Sequence, residues 1–321
     1  MAPATMDEAA TSVSMHVGQG HAAGNVVAVV VTWQPDVPLL REALEAIATQ
    51  VDHVVLVDNA TRCSDFDALL SDAAAMGVEV IRSEGNLGLA AGFNRGIEQA
   101  RKRAAAFVLL LDQDSVASPG MVQALVDGYS TLSASARVAA VGAQFVDPRD
   151  GQVAPFVLVG FPFNRKLQGG AGQRVGADFL ISSGSLLPMA AIDAVGGMDE
   201  SLFIDSVDLD WSFRARAAGF ALYGICDARM RHSIGDALRP GLFGRKVFVH
   251  GPTRLYYLMR NRVLLYRRAH TPAVWVAQDV LRFVGKFVRM SMFVSPRRAN
   301  ARAMLRGLWD GIRGRAGKLA P

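Results

Sequence analysis

The sequence has no apolar run of the roughly 18 residues that a membrane-spanning helix requires, so no transmembrane segment is expected. It has only two cysteines, Cys63 and Cys226, with neither disulfide nor metal-ligand spacing. That argues against a disulfide framework and fits a reducing cytoplasm. Residues 1–25 are rich in Ala, Ser, Gly and Thr but lack a basic stretch followed by an apolar one. They read as a loose tail and not as a secretory signal. The last third is short of acid: residues 229–321 hold 20 Lys and Arg against three Asp, a net +17. Residues 1–228 hold 14 against 26 Asp and Glu, a net −12. The acidic part should attract cations, and the basic part phosphates, an anionic membrane face or nucleic acid. No nucleic-acid-binding motif is present and the aromatics of the basic part lie on helical faces. A basic nucleic-acid-binding protein is therefore the remote rival reading, and no nucleic-acid partner is expected.

What is present is a 321-residue chain, 51% hydrophobic, with ample material for a core. Residues 26–33 (VVAVVVTW) and 53–57 (HVVLV) read as buried strands, as do 78–82 and 107–111 (FVLLL). Helical spacing falls at residues 39–48, 65–76 and 97–103. This alternation implies an α/β fold with a doubly wound, mostly parallel sheet. The segment SEGNLGLAAGFNRG lacks the G-x-G-x-x-G order and does not follow the first strand, which argues against a dinucleotide fingerprint. It reads as a loop with tight glycine turns, with Asn86 and Asn94 bracing the nucleotide side of a cleft.

The strand FVLLL ends abruptly in Asp112, Gln113 and Asp114. Carboxylates at the carboxyl end of a buried strand sit where open α/β sheets bind ligands. Spacing of two puts them on one side of an extended chain, where the like charges favour a cation between them. One reading is a divalent-metal and sugar-nucleotide site; the other is a solvated turn before a helix start at Ser118-Pro119. Ser182, Ser183 and Ser185 in DFLISSGSLLPM would allow close ligand approach or mark a bulge in a strand over 178–189. Asp205, Asp208 and Asp210 open a helix running to Ala218, as site acids or as dipole partners. His232 follows a strand over 220–232 and is either structural or a metal contact. Residues 152–175 read as a mobile acceptor loop. In the basic helix 254–268, Arg254, Tyr256, Tyr257, Arg260 and Asn261 would meet a diphosphate or sugar, or would form an ordinary surface helix. Residues 273–293 are amphipathic and cationic, as in a membrane-surface helix or one packed on the core. The rest, 297–321, reads as a flexible basic tail.

The series VTWQPD, VDNA, GNLGLAAGFNRG, LLLDQDS, FLISSGSLL, FIDSVDLDWSFRA, RHSIG and YYLMRN resembles the family 2 inverting glycosyltransferases of GT-A fold. The LLLDQDS, ISSGSLL and FIDSVD wording is similar to bacterial L-rhamnosyltransferases, including O-antigen enzymes and those adding the second rhamnose of rhamnolipids. The resemblance implies a GT-A catalytic domain over 26–270 and an amphipathic basic helical extension over 271–321. It implies that Thr32 and Asp58 contact the base, with Asp112 and its neighbour Gln113 on the ribose or sugar side. It implies that Asp114 and His232 serve Mg²⁺ or Mn²⁺ on the diphosphate, and that Asp208 is the general base. Val207 stands where the family has Glu, which leaves Asp205 and Asp208 as alternatives for the base. The implied reaction moves L-rhamnose from dTDP-L-rhamnose to a mono-rhamnolipid, giving a di-rhamnolipid. The alternative is a rhamnosyl- or other hexosyltransferase acting on a lipid-linked O-antigen or capsule saccharide. An amphiphilic glycolipid acceptor would be met by a cytoplasmic enzyme peripheral on the inner membrane.

Overall fold

The computed structural model describes residues 24–233, 237–240 and 246–320. Most of the expected tail, residues 1–23, and Ile234 and Gly235 beyond His232 lie outside the described residues. The chain enters as β1 (Val26–Thr32), buried along its whole length. α1 (Val37–Ala48) starts at Asp36, whose side chain accepts from the Leu39 amide at 3.1 Å. Then come β2 (His53–Asp58), α2 (Ser64–Ala75), β3 (Glu79–Arg82), α3 (Leu89–Lys102) and β4 (Phe107–Asp112). A short β5 (Val116–Ala117), α4 (Met121–Ser133) and β6 (Val138–Val146) follow. Three short strands, β7 (Phe156–Leu158), β8 (Arg165–Leu167) and β9 (Arg174–Ala177), lead to β10 (Ser185–Pro188) and α5 (Met189–Val195). The chain continues with α6 (Val207–Ala217), β11 (Ala221–Arg231), β12 (Ala237–Pro240) and β13 (Lys246–Val249). It ends in α7 (Pro252–Tyr266), α8 (Ala273–Met292) and α9 (Arg297–Ile312).

The main sheet runs β3-β2-β1-β4-β10-β6-β11-β5, with β9 also on β11. β1 to β4 are parallel neighbours, β6 and β11 are parallel, and β10 lies antiparallel between β4 and β6. The fold is thus α/β with a mixed, mostly parallel sheet, apolar clusters on both faces, and helices at its end. Burial on both faces explains why β1, β2 and β4 are continuous apolar runs. Register then places chemistry: Thr32 pairs with Asp58, and Val31 with Asp112, so three strands end on one edge.

Four expectations need correction. The glycine segment is mostly helix. Gly88 (φ +91°) caps α3, while Gly92 and Gly96 lie inside it. A methyl on Gly92 would stand 2.6 Å from Val31 Cγ1, and one on Gly96 would stand 2.1 Å from Val29 Cγ1. These two glycines allow helix-on-strand contact that no side chain permits. The stretch 152–175 is not featureless, since β7 pairs with β8 and β9 joins the main sheet. The strand expected over 178–189 is confined to Ser185–Pro188. The expected basic tail is largely α9, packed on α7: Tyr256 Oη donates to Asp310 at 2.9 Å, and Met304 is fully buried.

Asp210 is the acid of FIDSVDLD that turns away from solvent. It is fully buried, 2.9 Å from Arg214 Nε and 2.8 Å from His270 Nε2, and it also pairs with Arg268. Arg268 in turn bonds Asp199, so the network ties α6 to the end of α7. Removing Asp210 would leave buried cations uncompensated. Asp210→Ala should cost about 3–5 kcal/mol in urea unfolding, whereas a loss below ~1 kcal/mol would reduce the network to a surface-type ion pair.

Candidate active site

The turn after β4 gathers the acids and the histidine. Asp112 Oδ2 is 3.9 Å from His232 Nε2, and Asp114 Oδ1 is 3.1 Å from His232 Nδ1. One ligand atom from each of Asp112, Asp114 and His232 lies within 4.8 Å of the others. Two carboxylates and an imidazole are a donor set suited to Mg²⁺ or Mn²⁺. Antiparallel pairing of β5 with β11 carries His232 to this turn from 117 residues away, and Ser115 Oγ bonds its Nδ1 at 3.0 Å. Ser183 Oγ bonds Ser115 Oγ and accepts from the Asp112 amide at 3.2 Å. These buried hydroxyls explain the small-residue run around Ser183: it bolts the turn and leaves no room for larger groups.

The electrostatics agree with a cation-seeking site. Burial raises the Asp112 pKa above the usual carboxylate range; His232 opposes this, and Asp114 and Asp205 add to it. Burial alone would depress His232, but the Asp114 hydrogen bond and the charges of Asp112 and Asp114 outweigh it and hold it high. The acids thus favour positive charge at this point, whether on the imidazole or on a bound cation.

The nucleotide side is built from the other strand ends. Gln113 Oε1 accepts from Thr32 Oγ1 at 3.0 Å and from the Trp33 amide at 2.8 Å, joining the ends of β1 and β4. Asp58 is fully buried; its Oδ1 accepts from the Thr61 amide at 2.9 Å. Among the described residues its Oδ2 is buried without a hydrogen-bond donor, with only Arg82 Nε at 3.4 Å as an ion-pair neighbour. Asn59 bonds the Gly88 carbonyl at 3.2 Å and so docks the start of α3 on this edge. Asn86 caps Gly88 at 2.9 Å and lines a cavity of about 260 Å³ with Ala91, Arg95, Glu200 and Phe203. Asn94 does not reach the acids: it bonds both backbone groups of Met198 and the Glu200 carboxylate.

Asp205 comes in on the segment before α6, and Asp208 on the first turn of that helix. Phe203, Asp205 and Ser206 all have φ near +64° (64°, 63° and 65°), strain that side-chain-bearing residues keep only under external hold. The hold comes from α7. Asn261 Nδ2 donates to the carbonyls of Leu202, Ile204 and Asp205 at 2.9, 2.7 and 2.8 Å. Arg260 is 1% exposed, with Nη2 on the Leu202 carbonyl at 3.0 Å and its plane over Tyr257. The expectation that Arg260 meets a nucleotide sugar is therefore corrected: its donors are spent on the Asn261 side-chain oxygen and on backbone carbonyls. Neither is α7 a surface helix, since Leu255 to Asn261 are all buried.

The two acids differ in their partners. Asp205 is held by Arg254 Nε at 3.2 Å. Asp208, half-buried in the first turn of α6, accepts among the described residues only from the next amide, Leu209, at 2.8 Å. A helix amino terminus favours a carboxylate, yet burial dominates, and with Asp205 and Asp112 nearby it pushes Asp208 up to about 6. That is the range of a carboxylate able to accept a proton near neutrality. The pattern of acids was visible in the sequence; Ser115, Ser183 and Asn261 as the groups that hold them were not.

Comparison with known proteins now adds to this geometry. The chain is 29% identical over 298 residues to dTDP-rhamnosyl transferase RfbF of Shigella flexneri, covering 91% of this chain and 97% of RfbF. It is 28% identical over 308 residues to galactofuranosyltransferase GlfT1 of Mycobacterium tuberculosis, covering 90% and 93% of the two chains. Among solved structures, S. aureus TarS 1–349 in complex with UDP-GlcNAc superposes with a TM-score of 0.59 at 16% identity, covering 91% of this chain and 81% of that one. That likeness gives the fold as GT-A. With residues 28–187 matching Glycosyl transferase family 2, and the acids at the strand ends that this match spans, the chain belongs to that family.

Proposed function

We propose that this chain transfers L-rhamnose from dTDP-L-rhamnose, with inversion, to a hydroxyl of an amphiphilic glycolipid. The observation that carries the donor is the match to the Shigella flexneri dTDP-rhamnosyl transferase over 97% of its length. Mono-rhamnolipid is the first acceptor to test, and a lipid-linked O-antigen or capsule saccharide the second. The GlfT1 match supports a second reading, in which the same site moves another hexose.

In this reading the orphaned Asp58 Oδ2 accepts the pyrimidine N3–H, a partner it lacks among the described residues. Gln113 and Thr32 fix the strand ends that face the nucleoside. Asp112, Asp114 and His232 would hold Mg²⁺ or Mn²⁺, which offsets charge on the departing diphosphate. Asp208 removes the acceptor hydroxyl proton as that oxygen bonds the anomeric carbon and the carbon–diphosphate bond breaks. Asp208 suits the role better than Asp205, whose charge Arg254 already engages. Direct displacement by one acceptor oxygen inverts the anomeric centre, so β-linked donor gives α-linked product.

The lipid side is supported by α8. It packs through Trp275, Gln278, Asp279 and Met290, while Leu281 (71% exposed), Val284, Val288 and Met292 form an apolar outer face. One face of this helix is packed on the core, and the exposed apolar face supports the reading that it meets a lipid interface. Gln278 bonds the carbonyls of Gly160 and Pro162, bringing exposed Phe161 and Phe163 beside it. No described helix is long and apolar enough to cross a membrane.

Four outcomes are expected. Asp208→Asn should keep dTDP affinity by calorimetry and lose transfer at least 100-fold; normal turnover would remove it as the base. Since Asp208 must be ionised to accept a proton, transfer by the wild type should decline as pH drops below about 6. Asp114→Ala should abolish the Mg²⁺ or Mn²⁺ dependence of dTDP binding, and an unchanged metal effect would sink that role. Wild-type protein should float with anionic phosphatidylglycerol vesicles and Leu281→Glu/Val284→Glu should not; equal flotation would exclude the outer face of α8 as the contact.

A further inference from the structure

Four cations of α7 and α8 gather on one side of the base segment, where Arg254 bonds Asp205. Arg254 and Arg262 lie on α7; Lys286 and Arg289 lie one turn apart on α8. Arg254 bonds Asp205, and Arg262 bonds Asp279 at 3.3 Å while lying 5.0 Å over the Trp275 ring. Lys286 and Arg289 pair with no carboxylate among the described residues, and the Arg289 Nε is buried without a hydrogen-bond partner. The charges that act most on Lys286 are Arg262, Asp205, Arg289 and Arg254: three cations and one acid already engaged. Burial first, and then Arg262, depress the Lys286 ammonium to about 8. Gathering like charges out of water is unfavourable unless an anion joins them. Arg262 also acts on Asp208, whereas none of the four principal charges on Lys286 belongs to the Asp112–Asp114–His232 group. Arg254 bonds Asp205 at 3.2 Å, three residues before Asp208, so the cluster borders the base, where an acceptor must lie, and α8 also offers the apolar outer face.

We propose that Lys286 and Arg289, backed by Arg254 and Arg262, form a subsite for an oxyanion on the acceptor, beside the hydroxyl that Asp208 deprotonates. The oxyanion is the phosphate of a lipid carrier or the carboxylate of an acyl glycolipid. Lysine supplies a compact charge and arginine a fork, a combination suited to either group. The inference rests on the glycosyl-transfer reading for its acceptor, but its test does not require turnover.

Calorimetry on the full chain with octyl phosphate, octanoate and neutral octanol, alongside dTDP with Mg²⁺, reads the subsite directly. The wild type should bind an anionic probe and not octanol. Lys286→Gln and, separately, Arg289→Gln should weaken that binding about tenfold with dTDP affinity unchanged. Tighter octyl phosphate would assign the phosphate source, and tighter octanoate the carboxylate source. Equal binding of octanol, or anion affinity untouched in both variants, would overturn the subsite. A parallel loss of dTDP affinity would overturn it too, by assigning the cations to the donor diphosphate. Failure of rhamnose transfer with intact anion binding would instead count against the donor reading alone.

Discussion

One side-chain amide holds the site's geometry together. Asn261 has two N–H groups and places them among three carbonyls, those of Leu202, Ile204 and Asp205. The segment it grips has three residues at positive φ, each costing of order 1–3 kcal/mol. Without that grip the chain would relax to ordinary dihedrals, and Asp205 and Asp208 would swing away from Asp112. Arg260 adds a charged donor on one of these, the Leu202 carbonyl, while Asp210 anchors the far side of α6 to Arg268 and His270. The acids are thus positioned mainly by what lies behind them.

This division of labour shapes the electrostatics. Asp112, Asp114, Asp205 and Asp208 repel one another in a partly dry cleft. His232 and Arg254 offset some of that repulsion. Burial first, with the repulsion that remains adding to it, raises the proton affinity of Asp112 and Asp208. A base needs such an environment, because a fully solvated aspartate would be too weak to take a hydroxyl proton.

The sheet was legible because its strands are buried on both faces and so read as apolar runs ending in polar residues. The Asp112–Asp114 pair and His232 were legible as residue types at strand ends. Their meeting was not, because it depends on β5 reversing against β11 over a separation no local pattern records. Arg260 misled for a related reason: an arginine in a basic helix looks solvated until Tyr256, Tyr257 and the Leu202 carbonyl close over it. The glycines of α3 misled by composition, since glycine marks turns more often than close packing. In α9 the basic residues masked Met304 and Asp310, which face α7.

Gly92 and Gly96 also link distant parts of the chain. The helix that carries them rides on the valine side chains of β1 with no intervening atom. At its start, Gly88 receives Asn59 and its neighbour Leu89 donates to the Phe203 carbonyl at 2.7 Å. The height of α3 above the sheet therefore sets the spacing between the nucleotide edge and the strained segment that leads to Asp208. The helix behaves as a spacer shim whose thickness is the absence of two methyl groups, and thickening it would misalign donor and base without altering either.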